Sequence, residues 1–563
     1  MKVVIVGGVA GGATAAARLR RLDEKAEIVV LERSGFVSYA NCGLPYYIGG
    51  VIEDQAELTL QTPESFYARF RVRIKVHHEV TAIDRTAKTV TVRNLETGET
   101  FAESYDKLLL APGATPTRPP LPGVELDRLF TLRTVEDTLR IRRFVEEQHP
   151  RSAVLAGGGF IGLELAENLR ELGLDVTIVQ RPKHLMNPFD PDMAALLHAE
   201  VRAHGVHLAL GHTVEGFTGT EKGVQVLLKD EAPLQADMVV LAIGVTPDSH
   251  LAAEAGLALG LKGSILVNDR MQTSDPDIYA VGDAVQVRHF VTKQPALIAL
   301  AGPANKQGRI AADNIAGGDS RYKGSQGSSV LKVFGLTAAA TGLSETAARK
   351  AGLDADAVIL SPMNHAGYYP GGHVMTLKVV YERGIGRLLG AQIVGAEGVD
   401  KRIDVLATAI RAGMNAYDLT ELDLAYAPPY SSAKDPVNMA GYMMENLLAG
   451  RVRQFRLADL DALPRDGSVQ RVDTRTPGEY RRGHADGFVN LPLDTLREHL
   501  AELDPAKPVY VMCQSGLRSY LACRILTQHG FTCYNFAGGY RFYEAVTTDR
   551  RQSEAAFPCG MDK

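Results

Sequence analysis

The chain opens on a run, Lys2 to Val6, whose last four residues are all apolar. A continuous run of that kind, without polar alternation, predicts a parallel strand buried on both faces. It passes into Gly7-Gly8-Val9-Ala10-Gly11-Gly12, then into a helix-forming stretch from Ala13 to Leu22. The next apolar run, Ala26 to Leu31, stops at Glu32. Strand, glycine turn, helix and strand in that order predict a parallel βαβ unit. The pattern returns about 150 residues later. There the strand Ala153–Ala156 leads into Gly157-Gly158-Gly159-Phe160-Ile161-Gly162, a helix through Leu163 to Glu167, and a strand Asp175–Val179 that ends at Gln180-Arg181. Two more strands run into turns, one within Tyr105–Pro116 and one within Asp277–Ala284. Near the C-terminus the pattern appears once more. Val469 to Arg475 is a strand, Thr476-Pro477-Gly478-Glu479-Tyr480 turns into a helix, and Gly483-His484 leads to Asn490-Leu491-Pro492. Val509–Met512 is a strand that delivers Cys513 to a short loop, and a helix follows from Ser519. The fold class predicted is α/β throughout.

The two glycine loops carry candidate chemistry. In a βαβ unit the first glycine allows a tight turn, the last allows close helix–strand packing, and the helix N-terminus faces a pyrophosphate. Gly7, Gly11 and Gly12 do this in the first loop, although Val9 stands where the motif has its second glycine. Glu32 lies 20 positions beyond Gly12 and is placed to accept ribose hydroxyls. Gly157, Gly159 and Gly162 complete the second motif. Gln180 stands where an acid favours a free 2′-hydroxyl, and Arg181 is placed to meet a 2′-phosphate, so NADH against NADPH stays open. Two such units in one chain suit FAD and a nicotinamide nucleotide. Asp283 is placed to hydrogen-bond the ribityl or pyrophosphate part of a flavin.

Composition narrows the class. At 563 residues the chain predicts about three to four domains. With 45% hydrophobic and 23% charged residues it reads as a globular protein. A net charge of -5 with no long run of one sign gives no basis for nucleic acid binding. No apolar window is long enough for a membrane span, and the start lacks the features of a signal peptide. Five cysteines, Cys42, Cys513, Cys523, Cys533 and Cys559, are too few and too scattered for a disulfide framework. They predict a cytoplasmic protein with one or two working thiols. No metal site is assigned.

Taken together, the paired loops, Asp283 and the Tyr105–Pro116 turn resemble the pyridine nucleotide–disulfide oxidoreductase family over roughly Met1 to Gly450. The resemblance implies an FAD-binding domain at 1–118 and 248–325, an NAD(P)H-binding domain inserted at 119–247, and an α+β dimerisation domain at 326–449. It also assigns Arg33, Pro112, Gly113 and Glu164 to cofactor binding. Many members carry two cysteines near the first βαβ unit, but here Cys42 has Val37 five places before it and Tyr47 five places after. A single thiol cannot store an electron pair as an internal disulfide, so it must cycle through a mixed disulfide, a persulfide or a sulfenic acid. A reactive Cys42 calls for a stabilised thiolate, from a helix N-terminus or the flavin ring.

Ser38-Tyr39-Ala40-Asn41-Cys42 resembles the coenzyme A-disulfide reductases, and also the NADH oxidase and peroxidase branch. A coenzyme A site needs cations leading to the thiol. Arg18, Arg20 and Arg21 on the first helix, and Arg69, Arg71 and Arg73 after it, supply candidates. The resemblance places Thr14, Arg18, Arg21, Ser38 and Asn41 on coenzyme A positions, with Arg18 adding charge where part of the family has glutamine, and Arg69 and Asn305 are further candidates for that site. It also matches Tyr368 and Tyr426 to tyrosines that reach across a homodimer to the thiol, with Lys434 as a further cation.

After a linker at 450–457, the order of elements resembles a rhodanese domain over 458–550, followed by a tail at 551–563. The loop Cys513-Gln514-Ser515-Gly516-Leu517-Arg518 aims backbone N–H groups at one sulfur. Four residues separate Cys513 from Arg518, a loop one shorter than the related phosphatases use, which fits sulfur better than phosphate. Cys523 and Cys533 are read as packing residues and Cys559 as a tail cysteine. The function implied is an NAD(P)H-dependent reductase of coenzyme A disulfide, persulfide or polysulfide, with Cys513 supplying sulfane sulfur. The alternative is an NADH oxidase or peroxidase that cycles through Cys42 sulfenic acid, with the rhodanese domain as an accessory module.

Overall fold

The computed structural model describes residues 1–554, so Cys559 lies outside the described residues. Lys2–Val6 is the central strand of a five-stranded parallel sheet. The order is Ile278–Ala280, Lys107–Leu110, Lys2–Val6, Glu27–Leu31, Arg73–Lys75. Val3, Val4 and Ile5 are completely buried, as a strand covered on both faces requires. The helix Ala10–Leu22 starts inside the glycine loop, three residues before the pattern predicts. The second parallel sheet repeats the plan with Val206–Leu210, Asp175–Gln180, Ser152–Ala156, Met238–Leu241 and Leu129–Thr131. Each sheet is accompanied by a three-stranded antiparallel sheet, at His78–Ser104 and at Val214–Ala236.

The chain leaves the first sheet after Lys107–Leu110, builds the second, and returns at Ile278–Ala280. The two crossings, Ala114–Pro116 and Val245–Pro247, pair as an antiparallel ribbon. One stretch of the insertion departs from its surroundings. Residues 184–204, expected within the nucleotide domain, group instead with the second compact unit, which otherwise begins at Ser328. The helix Pro191–Ala203 packs on the strands of that unit. Its N-terminal carboxylates explain why, since Asp190 and Asp192 pair with the buried Lys378 at 3.1 and 2.9 Å.

The second unit holds two sheets. Ser329–Val333, Leu336–Gly342, Leu388–Gly395, Met375–Glu382 and Ala355–Leu360 form an antiparallel sheet in that order, backed by the helix Val399–Ala412. The C-terminal sheet is parallel, in the order Gln454–Phe455, Cys533–Phe536, Val509–Met512, Gln470–Asp473, Val489–Asn490. Its edge strand lies in the segment read as a linker. Two ties fix that segment in place. Gln454 Nε2 donates to Ala357 O at 2.9 Å, and Arg456 pairs with Glu345 and Asp356. The closing helix Gly539–Glu554 extends into the segment read as tail.

Candidate active site

Both nucleotide loops are built so that only glycine fits where the helix meets the strand. A Cβ on Gly12 would stand 1.9 Å from the Gly7 oxygen, and one on Gly162 would stand 2.0 Å from the Gly157 oxygen. Gly159 is different: a Cβ there would meet nothing within 4 Å. Packing therefore does not demand glycine at 159. The open cradle fits a pyrophosphate brought close to the backbone.

The residues that end the second strands brace the loops. Glu32 accepts from Gly8 N at 2.8 Å and from Ser34 N at 2.9 Å, which leaves lone pairs for a ribose. Gln180 was expected at the ribose, but its Oε1 is buried against Gly158 N at 2.9 Å. Its amide oxygen holds the loop, and the exposed Arg181 stands beside it. Arg33 pairs with Asp248 at 2.9 Å, and Asp248 N in turn donates to the carbonyl of Gly113, just after Pro112. Asp283 accepts from Arg133 Nη2 at 2.6 Å, a partner the sequence did not reveal.

Cys42 sits in the helical turn Asn41–Gly43, just ahead of the helix Leu44–Ile48, and is exposed. Its surroundings push the thiol above its ordinary value. Enclosure by protein atoms is the main cause, followed by the Glu164 carboxylate, with Asp283 acting the same way and Arg133 opposing. Of the charged groups that act on the thiol, Arg133 is the one that favours the thiolate. Glu164 is itself raised to about 7 by burial, with a nearby Glu167 adding to the effect and a hydrogen bond from Tyr46 opposing it. Burial and Glu164 together push Tyr46 up to about 12. Tyr46 and Arg133 are therefore two members of the Cys42 environment that sequence reading missed. Tyr46 is four residues beyond the thiol, one helical turn, and that spacing was the available signal.

The coenzyme A positions are partly committed to the protein. Thr14 donates to Asn305. Arg18 pairs with Asp313 at 2.7 Å, so the extra charge expected of it is neutralised. Arg20 is buried and donates to the carbonyls of Phe70, Asp23, Glu24, Ala26 and Arg71, which makes it a structural tie and not a lining cation. Arg21 and Arg69 are exposed. Ser38 adopts a left-handed backbone with φ of 47°, and its N–H donates to Gly8 O, which fastens the thiol segment to the first glycine loop.

In the second unit Tyr368 and Tyr426 meet, their hydroxyls 2.7 Å apart, and the bond raises the Tyr426 phenol. They remain 75% and 45% exposed, and Lys434 is exposed too. The buried Arg402 holds the loops that carry both tyrosines. It donates to Asn364 O at 2.8 Å, Ser431 Oγ at 3.1 Å and Asp435 Oδ2 at 3.0 Å.

Cys513 is completely buried, and its sulfur accepts from Gly516 N and Ser519 Oγ, both at 3.2 Å. One backbone N–H of the loop and the hydroxyl of the following helix thus reach the sulfur, where several backbone N–H groups were expected. Arg518, placed with Cys513 on sequence, gives its guanidinium to Glu479 in a two-pronged pair at 2.7 and 2.6 Å. Arg475 supports the site from below. It pairs with Asp473 at 2.7 Å, donates to Gln514, and stacks over Tyr540. Cys523 and Cys533 are buried together, with the Cys533 thiol 3.2 Å from Cys523 O.

Comparison with known proteins agrees with this layout. Residues 1–308 match the family model described as pyridine nucleotide-disulphide oxidoreductase, and residues 328–436 match the dimerisation domain of that family. The chain belongs to the pyridine nucleotide–disulphide oxidoreductase family. Residues 457–545 match the rhodanese-like domain. Coenzyme A disulfide reductase of Staphylococcus aureus (strain JH9) is 39% identical over 442 residues, 78% of this chain and 99% of that protein. The crystal structure of reduced CoADR-RHD from Bacillus anthracis superposes with a TM-score of 0.95 at 47% identity, covering 98% of both chains. A NAD-dependent persulfide reductase from A. fulgidus gives 0.91 at 37% identity, covering 96% of this chain and all of that one. As a member of the family the chain is an FAD-dependent oxidoreductase driven by a nicotinamide nucleotide. No helix among the described residues is long and apolar enough to cross a membrane.

Proposed function

We propose that the chain reduces coenzyme A disulfide and coenzyme A persulfide or polysulfide through Cys42 alone, using NADH or NADPH, and that Cys513 supplies sulfane sulfur. One observation carries this reading: Cys42, beside Glu164 on the helix Phe160–Glu171 that follows the second nucleotide loop, is the only cysteine before Cys513. Its oxidised form is therefore a mixed disulfide, a persulfide or a sulfenic acid, and the first two hold an outside sulfur. The names of the relatives support the same substrates. FAD and the nicotinamide nucleotide, bound at the two glycine loops, supply hydride and electron-pair transfer.

The Cys42 thiolate attacks one sulfur of coenzyme A disulfide. A Cys42–coenzyme A mixed disulfide forms and one coenzyme A thiolate leaves. With coenzyme A persulfide, attack on the inner sulfur forms the same mixed disulfide and releases HS⁻. A second copy of the chain brings Tyr368 and Tyr426 to that sulfur, where a phenol donates a proton to the departing thiolate. In the rhodanese domain Gly516 N–H and Ser519 Oγ–H hold the sulfur of Cys513 while it accepts a sulfur atom from a donor.

The test compares wild type with Cys42→Ser and Cys513→Ser. Cys42→Ser is expected to lose NAD(P)H-dependent reduction of coenzyme A disulfide. Cys513→Ser is expected to keep that reduction but to release less sulfide from polysulfide plus coenzyme A. Rapid oxygen consumption under air, indifferent to coenzyme A, would favour the oxidase reading instead.

A further inference from the structure

The loop that carries Cys513 has no free cation of its own. Between Cys513 and Arg518 stand Gln514, Ser515, Gly516 and Leu517, none of them charged. Arg518 gives both terminal nitrogens to Glu479. It holds that carboxyl down to about 2, so the pair stays ionised and nearly neutral as a unit near neutral pH. Arg475 reaches the loop at Gln514 Oε1, 3.2 Å away, but its charge is matched by Asp473 at 2.7 Å. A third arginine meets the loop from outside. The helix Gly539–Glu554 begins against it, with Tyr540 N–H donating to Cys513 O at 2.7 Å and Arg541 N–H to Gln514 O at 3.2 Å. The approach is close, since a Cβ on Gly539 would stand 2.6 Å from Ser515 N. Arg541 is exposed, and its guanidinium has no hydrogen-bond or ion-pair partner among the described residues. Its backbone is pinned to the loop while its charge is uncommitted.

Inorganic polysulfide is an anion near neutral pH, and so is the thiolate that attacks it. Bringing the two together costs Coulomb repulsion that a cation at the entrance offsets. We propose that Arg541 is a specificity-determining residue that draws anionic sulfane-sulfur donors to Cys513 and favours the more highly charged among them. This rests on the sulfurtransferase reading of Cys513 and deepens it. The loading step balances without an outside oxidant. The Cys513 thiolate attacks the terminal sulfur of a polysulfide chain. The bond behind that sulfur breaks as the Cys513 persulfide bond forms, and the shortened polysulfide leaves with the electron pair. Thiosulfate gives its outer sulfur in the same way and leaves as sulfite.

The test uses the full-length flavoprotein without reduced nicotinamide nucleotide, with cyanide as acceptor, thiocyanate as readout and Cys513→Ser as the blank. The donors are thiosulfate, a dianion, and methanethiosulfonate, a monoanion that offers the same sulfur on an uncharged methylsulfonyl body. Coulomb energy scales with donor charge. Arg541→Gln is therefore expected to lower kcat/KM about tenfold for thiosulfate and about threefold for methanethiosulfonate. Arg541→Lys, which keeps the charge, is expected to hold the wild-type ratio. Both variants retain the backbone N–H that bonds Gln514 O, so the tie to the loop survives in each. Wild-type kcat/KM for thiosulfate is expected to fall as NaCl is raised, more steeply than in Arg541→Gln. Inorganic tetrasulfide, followed by mass of the Cys513 peptide, repeats the comparison, and Arg541→Gln is expected to slow persulfide formation about tenfold. An unchanged kcat/KM for thiosulfate in Arg541→Gln, an equal loss with both donors, or matching salt slopes overturns the proposal. If tetrasulfide alone loads Cys513, an unslowed rate in Arg541→Gln overturns it. If none of the three donors sulfurates Cys513 in the wild type, the sulfurtransferase reading itself fails, and the proposal with it.

Discussion

The Cys42 thiol is held high by enclosure first and by the Glu164 carboxylate second. Removing the carboxylate charge while keeping its shape therefore favours the thiolate. Glu164→Gln is expected to move the pH midpoint for alkylation of Cys42 by iodoacetamide to lower values, because less alkali is needed once a neighbouring negative charge is gone. Alkylation is the right readout because turnover also reports on the nicotinamide site, to which Glu164 belongs by family resemblance. A midpoint that stays in place or rises would show that Glu164 does not govern the thiol. Cys42 and Cys513 were both legible in the sequence, since each follows a strand pattern in a recognisable order. Their charged neighbours were not. Arg133 lies 91 positions from Cys42 and Glu479 lies 34 from Cys513, and no local spacing links them. Glu479 did leave one trace, because Thr476-x-x-Glu479 is a capping-box pattern, and the box is present. That pattern explains the helix start and says nothing of the pair with Arg518.

Among the elements, the helix Pro191–Ala203 depends on a buried ion cluster. Lys378 is 2% exposed and lies 3.1 Å from Asp190, 2.9 Å from Asp192 and 3.0 Å from Glu345. Burial pushes the carboxyls of Asp190 and Glu345 up, but Lys378 together with Thr346 and Gln392 at Asp190, and with Arg456 and Arg349 at Glu345, outweighs it and holds both below the usual carboxylate range. Lys378→Met leaves three acids without that cation, and the loss is expected to be about 3–5 kcal/mol near neutral pH, read by denaturant unfolding. The pH dependence has a definite sign. In wild type the stability from Asp190 and Glu345 is present above the unfolded carboxylate range of about 4 and is lost as pH falls through their depressed folded values. In the variant the acids lose their counterion and protonate more readily, so its deficit narrows as pH is lowered toward that range. A deficit that widens on acidification would contradict the cluster as the cause. The sequence showed the central strands of the two parallel sheets, because Lys2–Val6 and Ser152–Ala156 are short apolar runs ending in glycine, but it did not mark Arg73–Lys75, Val206–Leu210, Met238–Leu241 or Leu129–Thr131. It did not show this cluster. Lys378 lies in the strand Met375–Glu382, where a charged residue in an apolar run gives no sign of being buried. Nor did it show the edge strand Gln454–Phe455, which is two residues long and too short for a period. Its place comes from Phe455, buried against Phe536 and Tyr510, and from the ties of Gln454 and Arg456.

At the scale of the whole molecule, the arrangement of Tyr368 and Tyr426 gives the dimerisation domain a chemical consequence. The two phenols are bonded to each other and exposed, and Arg402 fixes the loops beneath them. If a second copy supplies them to Cys42, the two halves of a site belong to different chains, as a two-fold interface allows. Heterodimers decide the matter. One chain carries Cys42→Ser with intact tyrosines, and the other carries Tyr368→Phe and Tyr426→Phe with intact Cys42; separate tags isolate the mixed dimer. A shared site places the intact thiol of one chain against the intact tyrosines of the other, so one of two sites works. Coenzyme A disulfide reduction is then expected at about half the wild-type rate, while both parent homodimers are impaired at every site. If each chain completes its own site, every site in the mixed dimer carries a lesion. The mixture then does no better than the mean of its parents, and the phenols act within one chain.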